Sequence, residues 1–337
     1  MTHNPALDAV RGIAILIVVL GHAANDAMLP SWLGQGSGQM GVALFFGLSG
    51  YLIFALYGTQ APSSSDRMTY VVARAGRILP LYGLVIALSA VAATLGFQPY
   101  YPVLDPGWFW PSVLMVQAPQ ELWSVPVEVQ FYALFLVAWP LLAAASTRTL
   151  TLTVAATFVL AAFWRGAILE AQVLPAYLPY FLMGGMISRL PRPQTSVPGL
   201  ILQMAALGIL ILNLPGLRGV ELWGGFYPML WLDPGRILAV FLVLWVAHAR
   251  PAIPVLAAPL VGLGKISFCL YLVHRPIMRG TESIFDGLNP GAVFMVSIGA
   301  AIGLSLISLR AFERPAARTI RRLTAPGQRP AQEAERS

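Results

Sequence analysis

The chain has 337 residues, of which 57% are apolar and 10% charged, and it carries a net charge of +7. Soluble chains average roughly 25% charged residues, so a soluble globule of this composition could not cover its own surface. A bilayer removes that requirement, and the apolar residues fall in runs near the ~20 residues a helix needs to cross hydrocarbon.

Of the 21 basic residues, 20 are Arg. The excess is explained by loops and tail, so no nucleic-acid partner is expected. The single cysteine, Cys269, lies in an apolar run, which excludes an intrachain disulfide and offers no Cys-based metal site. Residues 13–20 are apolar enough for a signal-peptide core, but the flank holds His3, Asp8 and Arg11 rather than a basic cluster. A retained first helix is expected.

The pattern predicts an all-α polytopic bundle of ten helices, near 8–28, 38–58, 70–96, 123–145, 149–169, 173–189, 197–214, 229–248, 258–279 and 289–312. No linker divides the chain before its end. It therefore reads as one membrane domain, 1–313, and a polar, Arg-rich tail, 314–337, expected to be disordered or to lie on the membrane surface. With ten spans both termini share a side. Sixteen basic residues then fall on that side and Arg165, Arg218, Arg236, Arg275 and Arg279 on the other. The bias makes both termini cytoplasmic, in a plasma (bacterial inner) membrane.

Helix 1 places Arg11 and His22 eleven residues apart, close to three turns, so both project from one face ~16 Å apart along the axis. Asp26 lies four residues beyond His22 and shares that face. Ionisable groups at such depth are costly and usually functional, although Arg11 can also snorkel to headgroups and His22 can serve a buried hydrogen bond. Helix 3 opens with Arg74 and Arg77, three apart at the boundary. They suit an anionic group or a topology signal. The loop 97–122 is rich in Pro and aromatics, as is 215–228, with Trp223 and Tyr227. Both suit the membrane interface. Helix 4 carries Ser124, Glu128 and Tyr132 on one stripe, with Pro126 between them. A carboxylate there must be paired, protonated or facing water. Helix 9 carries Ser267, Tyr271 and His274 on one stripe. Buried charge in ten helices also fits a transporter or exporter of a small polar substrate, and the residues alone leave that alternative open.

Six segments in order carry a resemblance: Leu7-Asp8-x-x-Arg11-Gly12-x-Ala14 with His22 as Arg-x10-His; Phe45-Phe46-x-Leu48-Ser49-Gly50-Tyr51; Arg74-x-x-Arg77-Ile78-x-Pro80-x-Tyr82; Trp123-Ser124-x-x-Val127-Glu128-x-Gln130-Phe131-Tyr132; Ile266-Ser267-x-x-Leu270-Tyr271-Leu272-x-His274-x-Pro276; and Phe312-Glu313-x-Pro315. Together they resemble the acyltransferase 3 family of membrane O-acyltransferases. Val129 stands where the family often has a second acidic residue, and Pro126 where Ser is common. The resemblance implies transfer of an acyl group, often acetyl from acetyl-CoA, to a hydroxyl of a sugar, lipid-linked glycan or other small acceptor. No permanently bound cofactor is implied. It marks Arg11, His22, Arg74, Arg77 and Glu128 as site residues. Some members carry a soluble hydrolase-like domain after the helices; this chain ends about 25 residues after the tenth helix, so it is expected to act without one.

The expected arrangement follows. Arg74 and Arg77, with Arg11, hold the phosphates of acyl-CoA at the inner face. The pantetheine arm threads toward His22, which deprotonates the acceptor hydroxyl. A covalent acyl-His22 relay is the second route. Asp26 or Glu128 orients the imidazole, and Ser124, Tyr132, Ser267, Tyr271 and His274 support substrate.

Overall fold

A computed structural model describes residues 4–163, 172–192, 198–218, 231–249, 257–285 and 287–324. Arg165, Trp223, Tyr227, Arg250 and the tail beyond 324 lie outside the described residues, as does the end of the expected fifth helix. Among the described residues all regular structure is helical. The ten longest helices are α1 (Pro5–Asn25), α2 (Ser37–Tyr57), α3 (Ser64–Thr94), α4 (Ser124–Ala144), α5 (Thr147–Phe163), α6 (Leu174–Ser188), α7 (Gly199–Leu212), α8 (Pro234–Ala249), α9 (Ala258–Ile284) and α10 (Pro290–Ser308). Six helical segments are long and apolar enough to cross a membrane unaided: Pro5–Asn25, Ser31–Tyr57, Ser64–Thr94, Gln120–Ala144, Ala258–Ile284 and Pro290–Ile320. The protein is a multi-pass membrane protein.

Local chemistry sets the helix ends. Asn4 caps α1, its side-chain oxygen accepting from the Ala6 amide at 3.0 Å, and Pro5 opens the first turn. Ser63 and Asp66 form a capping box that starts α3. The loop after α3 contains one short helix, Phe109–Val113, and a 3-10 turn, Gln120–Trp123, that leads into α4. Residues 314–324, assigned from composition to the polar tail, form a helix, α11 (Arg314–Thr324), that packs on α3.

The bundle is organised around α1, which packs against α9 and α2. Two glycines permit the α1–α9 approach. A Cβ at Gly12 would lie 2.0 Å from the carbonyl oxygen of Leu260, and one at Gly264 would lie 1.9 Å from that of Asp8. Small residues at helix contacts let backbones approach this closely in lipid. This crossing brings the stripe of α1 that carries Arg11 and His22 face to face with the stripe of α9 that carries Ser267, Tyr271 and His274.

Two proline positions inside helices are used to tie elements together. Pro276 of α9 has no amide to offer the Leu272 carbonyl, and that oxygen accepts instead from the Tyr101 hydroxyl at 2.8 Å. Pro140 of α4 likewise frees the Leu136 carbonyl, which accepts from Arg67 at 3.1 Å. The first of these bonds pins the loop after α3 over the end of α9, where the site lies.

Candidate active site

His22 of α1 and His274 of α9 meet at the centre. Their rings are parallel to within 2°, and Nδ1 of His22 is 2.8 Å from Nε2 of His274. His274 is fully buried. Its Nδ1 lies 2.7 Å from the Tyr271 carbonyl oxygen and 3.1 Å from that of Leu270. A carbonyl only accepts, so Nδ1 of His274 carries the proton. In the neutral ring Nε2 is then an acceptor, and the bond to it is donated by Nδ1–H of His22. The chain of bonds therefore fixes the His22 tautomer and leaves a lone pair on Nε2. A Cβ at Gly38 of α2 would lie 3.4 Å from that nitrogen, so the missing side chain keeps the approach clear.

Opposite Nε2 stands Glu121, with Oε1 at 3.8 Å. Two residues hold this carboxylate in place. Arg275 Nε is 3.2 Å from Oε1, and the Tyr100 hydroxyl donates to Oε2 at 2.7 Å. Arg275 in turn pairs with Asp26 and donates to the Tyr100 oxygen at 3.0 Å. Burial, reinforced by Glu121, holds the Tyr100 phenol well above its ordinary pKa, so it remains a donor. At 3.8 Å the Glu121–His22 contact exceeds a direct hydrogen bond.

Asp26, expected to orient His22, is turned elsewhere. Its carboxylate pairs with Arg275 and, at 2.8 Å, with Arg279. The two arginines extend from α9 across the end of α1, and they outcompete an imidazole for the acid. Glu128 also lies away from the imidazole. It accepts from Ser49 at 2.5 Å and from the Tyr132 hydroxyl one turn along its own helix.

Glu128 belongs to an inner cavity lined also by Arg11, Arg77, Ser49, Ser124 and Tyr271. Ser124 donates to the Tyr271 hydroxyl at 2.9 Å, and that hydroxyl donates to the Glu121 carbonyl at 2.8 Å. Tyr271 thus joins the cavity to the Glu121–His22 end. Ser267 donates to the Gly264 carbonyl at 2.9 Å and lines the same space. Toward the N-terminal end of α1 the cavity adjoins a mouth, with Arg11, Arg77, Ser267 and Phe268 lining both. Arg11 is held by Asp8 at 2.8 Å.

Arg74 and Arg77 do not act alike. Arg77 lines both spaces, whereas Arg74 lies over the rings of Tyr57 and Tyr132, 6.0 and 5.7 Å from their centroids. Residues three apart differ by about 60° around a helix, which is enough to send one to the cavity and the other to an aromatic wall.

Glu121, Tyr100 and Arg275 were not singled out as site residues from the sequence. Each stands at the edge of an apolar run, where charge and Tyr read as boundary markers. Arg275 did adjoin His274, which is the one signal available.

A family model, the acyltransferase domain of the acyltransferase 3 type, matches residues 4–310. The chain belongs to this family. It is 26% identical over 94% of its length to a Staphylococcus aureus (strain MSSA476) protein provisionally named an O-acetyltransferase, covering 57% of that protein. It is 24% identical over 92% of its length to the O-acetyltransferase OatA of S. aureus (strain NCTC 8325 / PS 47), again covering 57%. It is 27% identical over 91% of its length to a Komagataeibacter xylinus protein provisionally named a membrane-bound transacylase, covering 81%. The chain thus spans little more than half the length of the S. aureus relatives. No solved structure matches it.

Proposed function

We propose that the chain is a membrane O-acyltransferase. It moves an acyl group, acetyl foremost, from acyl-CoA to a hydroxyl of a carbohydrate or glycolipid such as a cell-surface polysaccharide. The observation that carries this reading is the Tyr271 carbonyl–His274–His22 chain, which leaves a lone pair on His22 Nε2 across from Glu121. The relatives named as acetyltransferases and a transacylase support the reaction class.

In this mechanism acyl-CoA enters at the mouth, which faces the cytoplasm. Arg11 and Arg77 hold its phosphates, and the thioester lies in the inner cavity beside Ser49, Ser124 and Tyr271. Glu128 is tied to Ser49 and Tyr132 and shapes the cavity wall beside these arginines. The acceptor hydroxyl hydrogen-bonds to Nε2. As its oxygen attacks the thioester carbonyl carbon, its proton passes to Nε2, and the imidazolium is stabilised by the Glu121 carboxylate. The tetrahedral intermediate expels the CoA sulfur, which takes the proton from Nε2. The products are the ester and free CoA, and His22 is returned neutral.

Two experiments test the reading. Mass spectrometry of surface glycans from cells with and without the gene should show one acyl mass lost. In membrane vesicles, His22→Ala should abolish acyl-CoA-dependent transfer at unchanged expression. Transfer retained in that variant would sink the assignment of the base.

A further inference from the structure

The mouth is built from more positive charge than Arg11 and Arg77 supply. Lys265 of α9 and Arg314 of α11 also line it, so four cations face two carboxylates, Asp8 and Glu313. Glu313 accepts from Ser308 at 3.1 Å, and Asp8 pairs with Arg11. Among the described residues no ion pair forms to Arg77, Lys265 or Arg314. Unpaired cations around one cavity form a site for a polyanion.

A local defect in the helix brings Arg314 to this position. Pro315 has no amide hydrogen for the Ala311 carbonyl, and its ring would press on that oxygen in an α-helix. The chain forms a π-turn over Leu309–Glu313 instead. In a regular α-helix residues five apart point about 140° apart. The i→i+5 bonding of a π-turn stacks them, and Leu309 and Arg314, five apart, both line the mouth. α11 is then held against α3. A Cβ at Gly76 would lie 3.7 Å from the Ala317 Cα and 3.8 Å from the Ile320 side chain, so the two helices touch where the glycine stands. Arg314 therefore projects from a packed helix.

We infer that the mouth is a phosphate-binding site in which Lys265 and Arg314, positioned by the π-turn before Pro315, hold the phosphate-bearing end of the acyl carrier. This rests on the acyl-CoA reading above and adds two residues and a structural cause to it. Lipid headgroups carry the same chemistry, and the test separates the two sources.

The test is calorimetric binding of CoA, dephospho-CoA and inorganic pyrophosphate to the full chain in phosphatidylcholine nanodiscs. Arg314→Gln and Lys265→Gln should each weaken CoA about tenfold, or about 1.4 kcal/mol, and weaken dephospho-CoA less. Pro315→Ala, which restores the α-register, should behave like Arg314→Gln. Arg318→Gln, on α11 but outside the mouth, should bind as wild type. The inference is overturned if Arg314→Gln and Lys265→Gln bind CoA normally, or if Arg318→Gln weakens it equally. It is also overturned if phosphatidylglycerol is retained through Arg314 in native mass spectra while CoA affinity ignores that residue. Wild-type binding of CoA without dependence on Arg314 sinks this inference and leaves the acyl-CoA reading standing. Arg314-dependent binding of pyrophosphate with no binding of CoA leaves an anion site at the mouth but sinks both the carrier assignment and the acyl-CoA reading. Binding of neither probe sinks both.

Discussion

His274 touches neither cavity, yet the proposed chemistry depends on it. His274→Phe keeps a flat ring in place but offers no acceptor to the Nδ1–H of His22. That donor then stays buried without a partner, at a cost of about 1–3 kcal/mol, or the imidazole takes its other tautomer. The second outcome is favoured locally, because a proton on Nε2 would face Glu121 at 3.8 Å. Either way the lone pair that accepts the hydroxyl proton is lost. A positioned general base contributes about 10²–10⁴-fold, so kcat should fall by at least about 10²-fold while the KM for acyl-CoA changes little. His274→Gln supplies a side-chain oxygen that accepts from Nδ1–H and should stay within about tenfold of wild type. The assay is free-thiol release from acetyl-CoA by purified protein in liposomes, with the melting temperature recorded for each variant. Full activity in His274→Phe at an unchanged melting temperature would refute the tautomer argument. So would a His274→Gln variant as inactive as His22→Ala.

Arg77→Gln should raise the KM for acyl-CoA about ten- to a hundredfold, since a lost charge-assisted contact is worth about 1.5–3 kcal/mol. Arg74→Gln should leave KM near wild type and lower the melting temperature, because Arg74 lies over Tyr57 and Tyr132 rather than in the cavity; equal KM effects would contradict this division. Gly12→Ala, placing a methyl 2.0 Å from the Leu260 carbonyl oxygen, should cost at least about 1–3 kcal/mol of stability and most activity, while Gly262→Ala, with open space around it, should be silent in both assays. Tyr100 is held protonated above the ordinary phenol range by burial and by Glu121. The unfolded chain ionises there near pH 10 and the folded chain does not, so folded stability contributed at this position is present below pH ~10 and lost as pH rises. Tyr100→Phe should flatten that alkaline loss in a denaturation series, and an unchanged slope would count against the assignment.

What could be read from the sequence follows from where the information lies. Helical periodicity within one segment put Arg11 and His22 on one face of α1, and the structure places Arg11 at the cavity and His22 beside Glu121. The same periodicity put Ser267, Tyr271 and His274 on one face of α9. Which stripe meets which cannot be read from spacing. It is set by the glycine crossing of α1 on α9. Asp26 shows the consequence. Its i+4 spacing from His22 is real, but two arginines from another helix reach it first. Glu121 shows the converse, a carboxylate outside any stripe that becomes the imidazole's neighbour because the loop before α4 folds over the site.

Read along the sequence, Pro276 and Pro315 mark helix ends, since each removes an amide and crowds a carbonyl. In the folded chain α9 continues past Pro276 to Ile284, and a helical segment continues past Pro315 to Thr324. In lipid a freed carbonyl must find another donor. At Leu272 that donor is the Tyr101 hydroxyl, and it draws the loop carrying Tyr100 over His22 and Glu121. At Ala311 the backbone changes register and turns Arg314 into the mouth. In both places a proline withdraws an amide from a carbonyl, and the local rearrangement brings a side chain to the site, Tyr100 to Glu121 and Arg314 to the mouth. The motifs ending in Pro therefore have a structural reason at each end of the site, one at the proposed base and one at the proposed phosphate mouth.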